Sequence, residues 1–412
     1  MGQPTKNHIE LTLNLLSFGL IGSSGILLNI IIVNYYNISI LGLFNQFLAL
    51  YFIFSQLTTF GIHQSVLAYM PSSRRPDVVL SSALLSVFLF SSGTAFIIYF
   101  LLKYLIHYFQ IINLGASIKF LIPVLILFSV NKVLINALLG LGRMNKFAIA
   151  NASRFILLLV SVVIHILIKA KYETITSAFI FAEVGVLILL LTFNFYTRDT
   201  IFKLKRVHIL LWIKKHFSFG KYALISGFIL DLNSKIDILI LSFFVSQSEV
   251  GIYSFAAMLG EGFYQFALIF RNLNTNKFAL SIHKDKSLKF LKKNSLIFWQ
   301  SLFICFVGII SIVLYKFFVS LITSNSEIVS KGFFVYSIYV SGVIISSKWI
   351  ILDNILILKK QPKLDNYVRI SSLIINFLFS FVLAQFIGIL GAALAIFFSL
   401  ITTALLLKYF SQ

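Results

Sequence analysis

Nine charged side chains lie inside otherwise apolar stretches of this chain, and they are its strongest candidates for chemistry. A charge within a membrane span costs roughly 2.5 to 3.5 kcal/mol on insertion scales, so such groups should face a protein interior and take part in binding. Basic members could hold a phosphorylated anion, whereas acidic members could bind a coupling proton or sodium ion. The nine are Lys132, Arg154, Glu183, Asp231, Lys235, Asp237, Glu261, Lys348 and Asp353.

The basic candidates for substrate binding are Lys132, Lys348, Arg154 and Lys235. Lys132 and Lys348 fall in the middle of equivalent apolar stretches in the two halves, so their ammonium groups could face one cavity and hold a diphosphate. Ion pairing between helices, or snorkelling to the membrane surface, are the alternatives. Arg154 could likewise snorkel, or its guanidinium could grip phosphate with two hydrogen bonds at the inner mouth.

The acidic candidates for ion coupling are Asp237, Glu261 and Asp231. Asp231 and Lys235 stand four residues apart and share a helix face, so a local ion pair between them is expected. Asp237 points elsewhere and could bind a proton or a sodium ion, as could Glu261. The seven His residues show no metal-ligand spacing, and Cys305 is the single cysteine. The sequence therefore predicts neither a metal site nor a cofactor, apart from H⁺ or Na⁺ as a coupling ion.

These charges must be positioned by membrane-spanning helices. The chain has 412 residues, of which 59% are apolar, 16% aromatic and only 11% charged, a composition that does not suit a water-soluble domain. A spanning helix needs roughly 20 apolar residues. The sequence predicts an all-α integral membrane protein with twelve spans, at 11–34, 40–62, 79–102, 120–141, 147–168, 174–196, 218–244, 250–270, 295–317, 332–358, 369–386 and 389–407.

The distribution of basic residues predicts the orientation of these spans. Most of the 34 Lys and Arg residues fall in alternate loops that would be cytoplasmic if both chain ends are inside. The same loops explain the net charge of +21, because basic loops suit an anionic inner leaflet. Membrane lipids are therefore expected partners, and nucleic acid is not.

One short passage occurs twice, about half the chain apart. Tyr35-Tyr36 followed by Gly42-Leu43-Phe44 recurs as Phe243-Phe244 followed by Gly251-Ile252-Tyr253. Six spans per half is an even number, so the halves would share one orientation and be related by a pseudo-twofold axis along the membrane normal. We predict six-helix lobes at 1–196 and 218–412, joined by an amphipathic cytoplasmic linker at 197–217.

The passage DILILSFFVSQSEVGIYSFAAMLGEGFYQF, from Asp237 to Phe266, and its first-half counterpart NIIIVNYYNISILGLFNQFLALYFIFSQLTTFG carry a family resemblance. Together with twelve spans in two sixes, they make the chain resemble oligosaccharide flippases of the MATE-like superfamily. That resemblance implies two lobes around a cavity that opens alternately to each side, with basic residues binding a lipid diphosphate.

The resemblance also implies a function and a location. The expected activity is not enzymatic: it is the movement of undecaprenyl-diphosphate-linked oligosaccharide units from the cytoplasmic to the periplasmic, outer leaflet, for O-antigen, capsule or other surface polysaccharide. The expected location is the bacterial cytoplasmic (inner) membrane. Lipid-linked oligosaccharide is then the substrate, and a polysaccharide polymerase and a chain-length regulator are the expected protein partners.

Two other functions stay open at this point. A cation-coupled multidrug exporter of the same superfamily would usually carry an acidic residue in the first span, but residues 11–34 contain none. A membrane polymerase or ligase of surface polysaccharide typically has a long outer loop, whereas the longest predicted here is 103–119. Both alternatives are disfavoured by these features.

Overall fold

Every regular element of the described residues is helical in the computed structural model, which describes residues 3–109, 115–193, 206–283, 295–359 and 361–410. Two short 3₁₀ turns, Gly115–Phe120 and Tyr172–Ser177, precede α5 and α7. The α-helices are α1 Gln3–Tyr35, α2 Ile38–Thr59, α3 Ile62–Tyr69, α4 Pro76–Phe109, α5 Leu121–Gly140, α6 Met144–Leu167, α7 Ala178–Thr192, α8 Arg206–Leu241, α9 Gln247–His283, α10 Ser295–Ile322, α11 Ser326–Ile351, α12 Ile355–Leu358, α13 Pro362–Ile387 and α14 Ile389–Phe410.

Within the described ranges, nine helical segments are long and apolar enough to cross a membrane. They lie in α2, α4 to α7, α10, α11 with α12, α13 and α14. The remaining predicted spans, 11–34, 218–244 and 250–270, fall inside the continuous helices α1, α8 and α9. Ionisable residues such as Asp231, Lys235 and Glu261 lower the apolar character of α8 and α9. The multi-pass helical membrane fold is therefore confirmed, while the count of twelve spans stays a prediction.

The predicted linker and the predicted seventh span are joined in one helix. Helix α8 begins at Arg206 and continues without interruption to Leu241, so residues 206–217 belong to it. Residues 197–205 of the linker lie outside the described residues. Between the last two spans the sequence predicts a tight turn at Gly388, and this is confirmed: α13 ends at Ile387, α14 begins at Ile389, and Gly388 has a φ of +55°.

The chain divides into two compact units. Unit 1 comprises Met1–Ile31 and Phe47–Asp231, and unit 2 comprises Ile32–Gln46 and Leu232–Gln412. Helices α1, α2 and α8 each contribute residues to both units. The lobe boundaries predicted from the sequence stay a prediction.

Unit 1 is built around α5, which packs against α3, α4, α6 and α7. Its apolar core is contributed by the facing sides of these helices and includes Ile62, Val66, Leu80, Val87, Val133, Leu138 and Val186. Between α2 and α3 the helix is interrupted at Phe60 and Gly61, which both have positive φ. Gly220 of α8 lies against this interruption, where a Cβ atom would meet the Phe60 carbonyl.

In unit 2, α11 packs against α9, α10 and α14, and α13 packs along α14. The two copies of the duplicated passage also meet in this unit. A Cβ atom at Gly42 would collide with the Gln247 carbonyl oxygen, and one at Gly251 would collide with the Ile38 carbonyl oxygen. Because Ile38 and Gln247 occupy the same position before their respective glycines, the contact is reciprocal, as expected for related copies.

Candidate functional site

A buried carboxylate organises the polar interior of unit 1. Glu183 of α7 is only 1% exposed and accepts three hydrogen bonds from three other helices. Its donors are the Tyr51 hydroxyl at 2.6 Å, Arg154 Nε at 2.7 Å and Asn131 Nδ2 at 2.7 Å. A buried ion pair of this kind needs such additional hydrogen bonds to offset the cost of removing both charges from water. Glu183 therefore fixes where Arg154 lies.

Two cations share one aromatic ring beside this carboxylate. The Arg154 guanidinium carbon is 4.3 Å from the centroid of the Phe128 ring, and Lys132 Nζ is 5.3 Å from the same centroid. Phe128 and Lys132 are four residues apart on α5, so they lie on one helix face. A cation over an aromatic ring gains about 0.5 to 2 kcal/mol, which helps to hold both charges in an apolar interior.

The same two cations have hydrogen-bonding capacity left over. Arg154 Nη2 is buried and has no hydrogen-bond partner among the described residues, although Nε is bound to Glu183. No salt bridge joins Lys132 Nζ to a carboxylate of the described residues; the charges that act on it are those of Asp231 and Arg154. A buried donor without a partner costs about 1 to 3 kcal/mol, and more when it is charged. Unit 1 therefore presents donors suited to an anion.

Asp231 belongs to unit 1 and is bound by a neighbouring helix. The Gln56 amide of α2 donates to its Oδ2 at 2.6 Å. Lys235, one turn later on α8, belongs to unit 2 and donates to both oxygens of Glu261, at 2.8 and 3.1 Å. The predicted local pair between Asp231 and Lys235 stays a prediction.

Unit 2 holds two further charged groups of interest. Asp237 of α8 is 2% exposed and accepts a hydrogen bond from the Tyr253 hydroxyl of α9, while its Oδ1 has no partner among the described residues. Lys348 of α11 is half-buried and makes no salt bridge to a described residue. The structure therefore places Lys132 and Lys348 in different units, and the cavity predicted to unite them stays a prediction.

A network of ion pairs links the ends of three helices in unit 2. Arg271 Nη1 of α9 is 3.2 Å from Asp353 Oδ2, and Arg369 Nη2 of α13 is 3.6 Å from the same oxygen. Arg369 Nε also donates to Asp365 Oδ2 at 2.8 Å. Asp353, which the sequence placed within a span, lies in the turn after α11 and serves this network.

His216 joins the first part of α8 to α3 and α4 in unit 1. Its Nε2 donates to the Val79 carbonyl at 3.1 Å, so its Nδ1, 2.6 Å from the Ser65 hydroxyl, acts as an acceptor in the neutral ring. Burial lowers the pKa of His216 to about 4. The side chain is therefore neutral near pH 7 and has a structural role.

Interhelical ion pairing, the alternative left open for the basic residues, is found for Arg154 with Glu183 and for Lys235 with Glu261. Sequence reasoning identified Glu183 as an intramembrane charge but did not name its donors Tyr51 and Asn131, or the ring of Phe128. No sequence signal marks these three, since Tyr, Asn and Phe are common in such spans. The described ranges contain no group of three or more metal-ligating side chains.

Comparison with known proteins identifies the family. Residues 12–262, more than half of the chain, match the family described as polysaccharide biosynthesis protein. The chain belongs to this family. No curated protein sequence matches this family member.

Solved structures share the fold of this polysaccharide biosynthesis family protein. The lipid II flippase MurJ in an inward closed conformation is 16% identical, with 97% of this chain and 87% of MurJ covered and a TM-score of 0.74. An inward-facing multidrug resistance MATE transporter is 12% identical, with 97% and 93% covered and a TM-score of 0.66. A MOP superfamily transporter from Pyrococcus furiosus is 12% identical, with 98% and 94% covered and a TM-score of 0.56. The resemblance to MATE-like proteins predicted from the sequence is thereby confirmed, and these similar structures are flippases and transporters rather than enzymes.

Proposed function

We propose that this family member is a flippase that moves undecaprenyl-diphosphate-linked oligosaccharide units from the cytoplasmic to the outer leaflet by alternating access. Its membership of a polysaccharide biosynthesis family and its likeness to a lipid II flippase support this assignment. The proposal includes twelve spans in two six-helix lobes in a bacterial inner membrane, with both termini cytoplasmic. The products would feed O-antigen, capsule or other surface polysaccharide synthesis, together with a polymerase and a chain-length regulator.

The observation that carries this proposal is the unsatisfied pair of cations in unit 1. Arg154 and Lys132 lie over the same ring, and Arg154 Nη2 is buried without a partner. A phosphate oxygen would satisfy that donor, and charge-assisted hydrogen bonds of this type are roughly twice as strong as neutral ones. Two cations close together also match the charge of a diphosphate better than that of an uncharged or cationic drug. Lys348 and Lys235 in unit 2 are proposed as further contacts.

Local charge balance favours a site that binds its anion reversibly. Glu183 and Asp231 offset the charges of Arg154 and Lys132 when the site is empty. An incoming diphosphate would therefore exchange partners with groups that are already stabilised. Such a site can release its substrate on the opposite side of the membrane, as transport requires.

The cation-coupled multidrug exporter remains the second candidate, because MATE transporters share the fold. Its sequence counterpart, an acidic residue in the first span, is missing from residues 11–34. A cationic drug would also be repelled by Lys132 and Arg154. Polysaccharide polymerase or ligase activity receives no support from the similar folds.

The test is translocation of a fluorescent lipid-linked oligosaccharide in proteoliposomes that contain the purified protein. We expect the double substitution Lys132→Ala with Arg154→Ala to lower the initial rate by about ten- to a hundredfold, equivalent to losing one charge-assisted hydrogen bond. Lys316→Ala is the matched control, because Lys316 also lies over a phenylalanine, 4.7 Å from the Phe333 ring, but is exposed. An unchanged rate in the double variant would contradict the proposed site. Transport of cationic dyes without transport of the oligosaccharide would favour the exporter.

A further inference from the structure

Unit 2 contains a buried carboxylate that the proposed anion site does not use. Asp237 on α8 is 2% exposed, and its Oδ2 accepts a hydrogen bond from the Tyr253 hydroxyl. Its other oxygen, Oδ1, is buried and has no hydrogen-bond partner among the described residues. Tyr253 itself is fully buried. The carboxylate thus has one protein donor where buried carboxylates usually need several.

The nearest cation on the same helix is engaged by another acid. Lys235, two residues before Asp237, donates to both oxygens of Glu261 on α9. The titratable groups around Asp237 are Lys235 on its own helix, Tyr253 and Glu261 on α9, and Tyr339 on α11. Glu261 is the accessible member, with 39% of its side chain exposed, and Lys235 is 17% exposed. The buried Asp237 is therefore flanked by an ion pair that reaches solvent.

An ionised Asp237 would retain much of the cost of removing a charge from water. A single neutral hydroxyl donor offsets only part of that cost. A proton on Oδ1 would remove the charge, and it would convert the unpartnered acceptor into a hydroxyl of a neutral acid. Tyr253 could continue to donate to Oδ2 in both forms.

The chemistry of the site favours a proton over a metal cation. Hard cations such as Na⁺ and Ca²⁺ are held by several oxygen ligands, whereas Asp237 and Tyr253 offer two side chains. The hydroxyl proton of Tyr253 is also directed at Asp237. A proton needs only one oxygen, and Oδ1 supplies it.

We propose that Asp237, held by Tyr253 and reached past the Lys235 and Glu261 pair, is a reversible proton-binding site in unit 2. In the binding step a hydronium ion transfers its proton to Oδ1 and leaves as water, and release is the reverse. No electron is transferred and no other bond changes. The coupling role of this site rests on the proposed flippase function, but proton binding itself does not.

Infrared difference spectroscopy on the protein in lipid bilayers tests proton binding without any transport substrate. Between acid and alkaline buffer, the wild-type protein should show a carbonyl band of a protonated carboxylic acid. The band should be lost in Asp237→Asn and shifted in Tyr253→Phe, which removes its hydrogen-bond donor. Glu327→Gln is the control, because Glu327 is an exposed acid paired with Lys331, and it should keep the band. A band that is identical in wild type and Asp237→Asn, or one that responds to Na⁺ at constant pH, would overturn the proposal.

Transport in proteoliposomes then tests coupling. With an imposed pH gradient, the wild-type rate should rise about fivefold or more over the rate without a gradient, equivalent to roughly 1 kcal/mol of driving force. Asp237→Asn, which resembles the protonated acid, should give the same rate with and without the gradient. Gradient dependence that survives in Asp237→Asn would refute the coupling role. If wild-type protein moves no lipid-linked oligosaccharide but keeps its infrared band, the flippase assignment fails while the proton site stands.

Discussion

At the scale of single residues, Arg154 is the side chain on which binding and stability meet. Its Nε is bound to Glu183, its plane lies on Phe128, and its Nη2 has no partner among the described residues. Tyr51 and Asn131 complete the hydrogen bonds of Glu183. The carboxylate is therefore a positioning residue that directs the guanidinium, and the free edge of the guanidinium is what an anion would meet.

This arrangement predicts strong coupling between Arg154 and Glu183. Glu183→Gln leaves a buried cation without its counterion and should lower the free energy of unfolding by about 3 to 5 kcal/mol. Arg154→Met should cost a similar amount, because Glu183 then becomes the unpaired charge. The double variant should lose much less than the sum, since neither charge remains.

Thermal unfolding of the purified protein in one detergent would measure this cycle. Tyr51→Phe serves as a milder comparison, because it removes one hydrogen bond and should cost about 1 to 3 kcal/mol. Additive losses in the double variant would show that the pair is not coupled.

The sequence made the charged members of this site predictable but not their partners. Lys132 and Arg154 stand out because charge is rare in apolar spans, so each must have a reason to be there. Tyr51, Asn131 and Phe128 are ordinary residues in such segments. They contribute to the site only because α2, α5, α6 and α7 bring them within reach of one carboxylate.

At the scale of helices, the first turns of α2 and α9 form the closest backbone contact of the duplicated passage. Asn37 and Ser246 cap these helices by accepting from the backbone amides of Ile40 and Glu249. One turn later, Gly42 and Gly251 each lie against a carbonyl oxygen of the opposite helix. Equivalent residues therefore play equivalent parts, which is a structural trace of duplication.

Any side chain at these glycines should force α2 and α9 apart. We expect Gly42→Ala and Gly251→Ala each to lower the free energy of unfolding by about 1 to 3 kcal/mol, as overpacked sites do. Gly262→Ala on α9 is the matched control, because a Cβ atom there would meet nothing within 4 Å. That control should be neutral or slightly stabilising, since Ala is the better helix former by about 1 kcal/mol.

Thermal unfolding measures all three glycine variants under one condition. Equal stability of Gly251→Ala and Gly262→Ala would contradict the close contact. The sequence pointed to Gly42 and Gly251 through their repetition, but it did not show that the two copies touch. That contact depends on how helices far apart in the chain pack.

At the scale of the whole molecule, the distribution of charge determines which loops face the cytoplasm. Arg74 lies between α3 and α4 and should be cytoplasmic, whereas Lys103 near the end of α4 should be on the outer side. Both side chains are exposed, so both positions suit chemical labelling.

Cysteine labelling in cells tests this orientation. The single cysteine makes the background simple, because Cys305→Ser removes every native thiol. In that background a membrane-impermeant maleimide added to intact spheroplasts should label Lys103→Cys and should spare Arg74→Cys until the membrane is permeabilised. Labelling of Arg74→Cys alone in intact spheroplasts would reverse the topology.

The sequence by itself determined that this is a helical membrane protein of duplicated plan, and it located most of the helices. Long apolar runs leave the backbone no alternative in a membrane, because each amide must bond within its own segment. It also marked the charged residues, since their cost in an apolar span is independent of the fold. Only the tertiary structure decided that Arg154 is held by Glu183, that Asp237 is held by Tyr253, and that Gly42 and Gly251 lie at one helix contact. Those outcomes depend on distances between residues far apart in the chain, which packing sets and residue type does not.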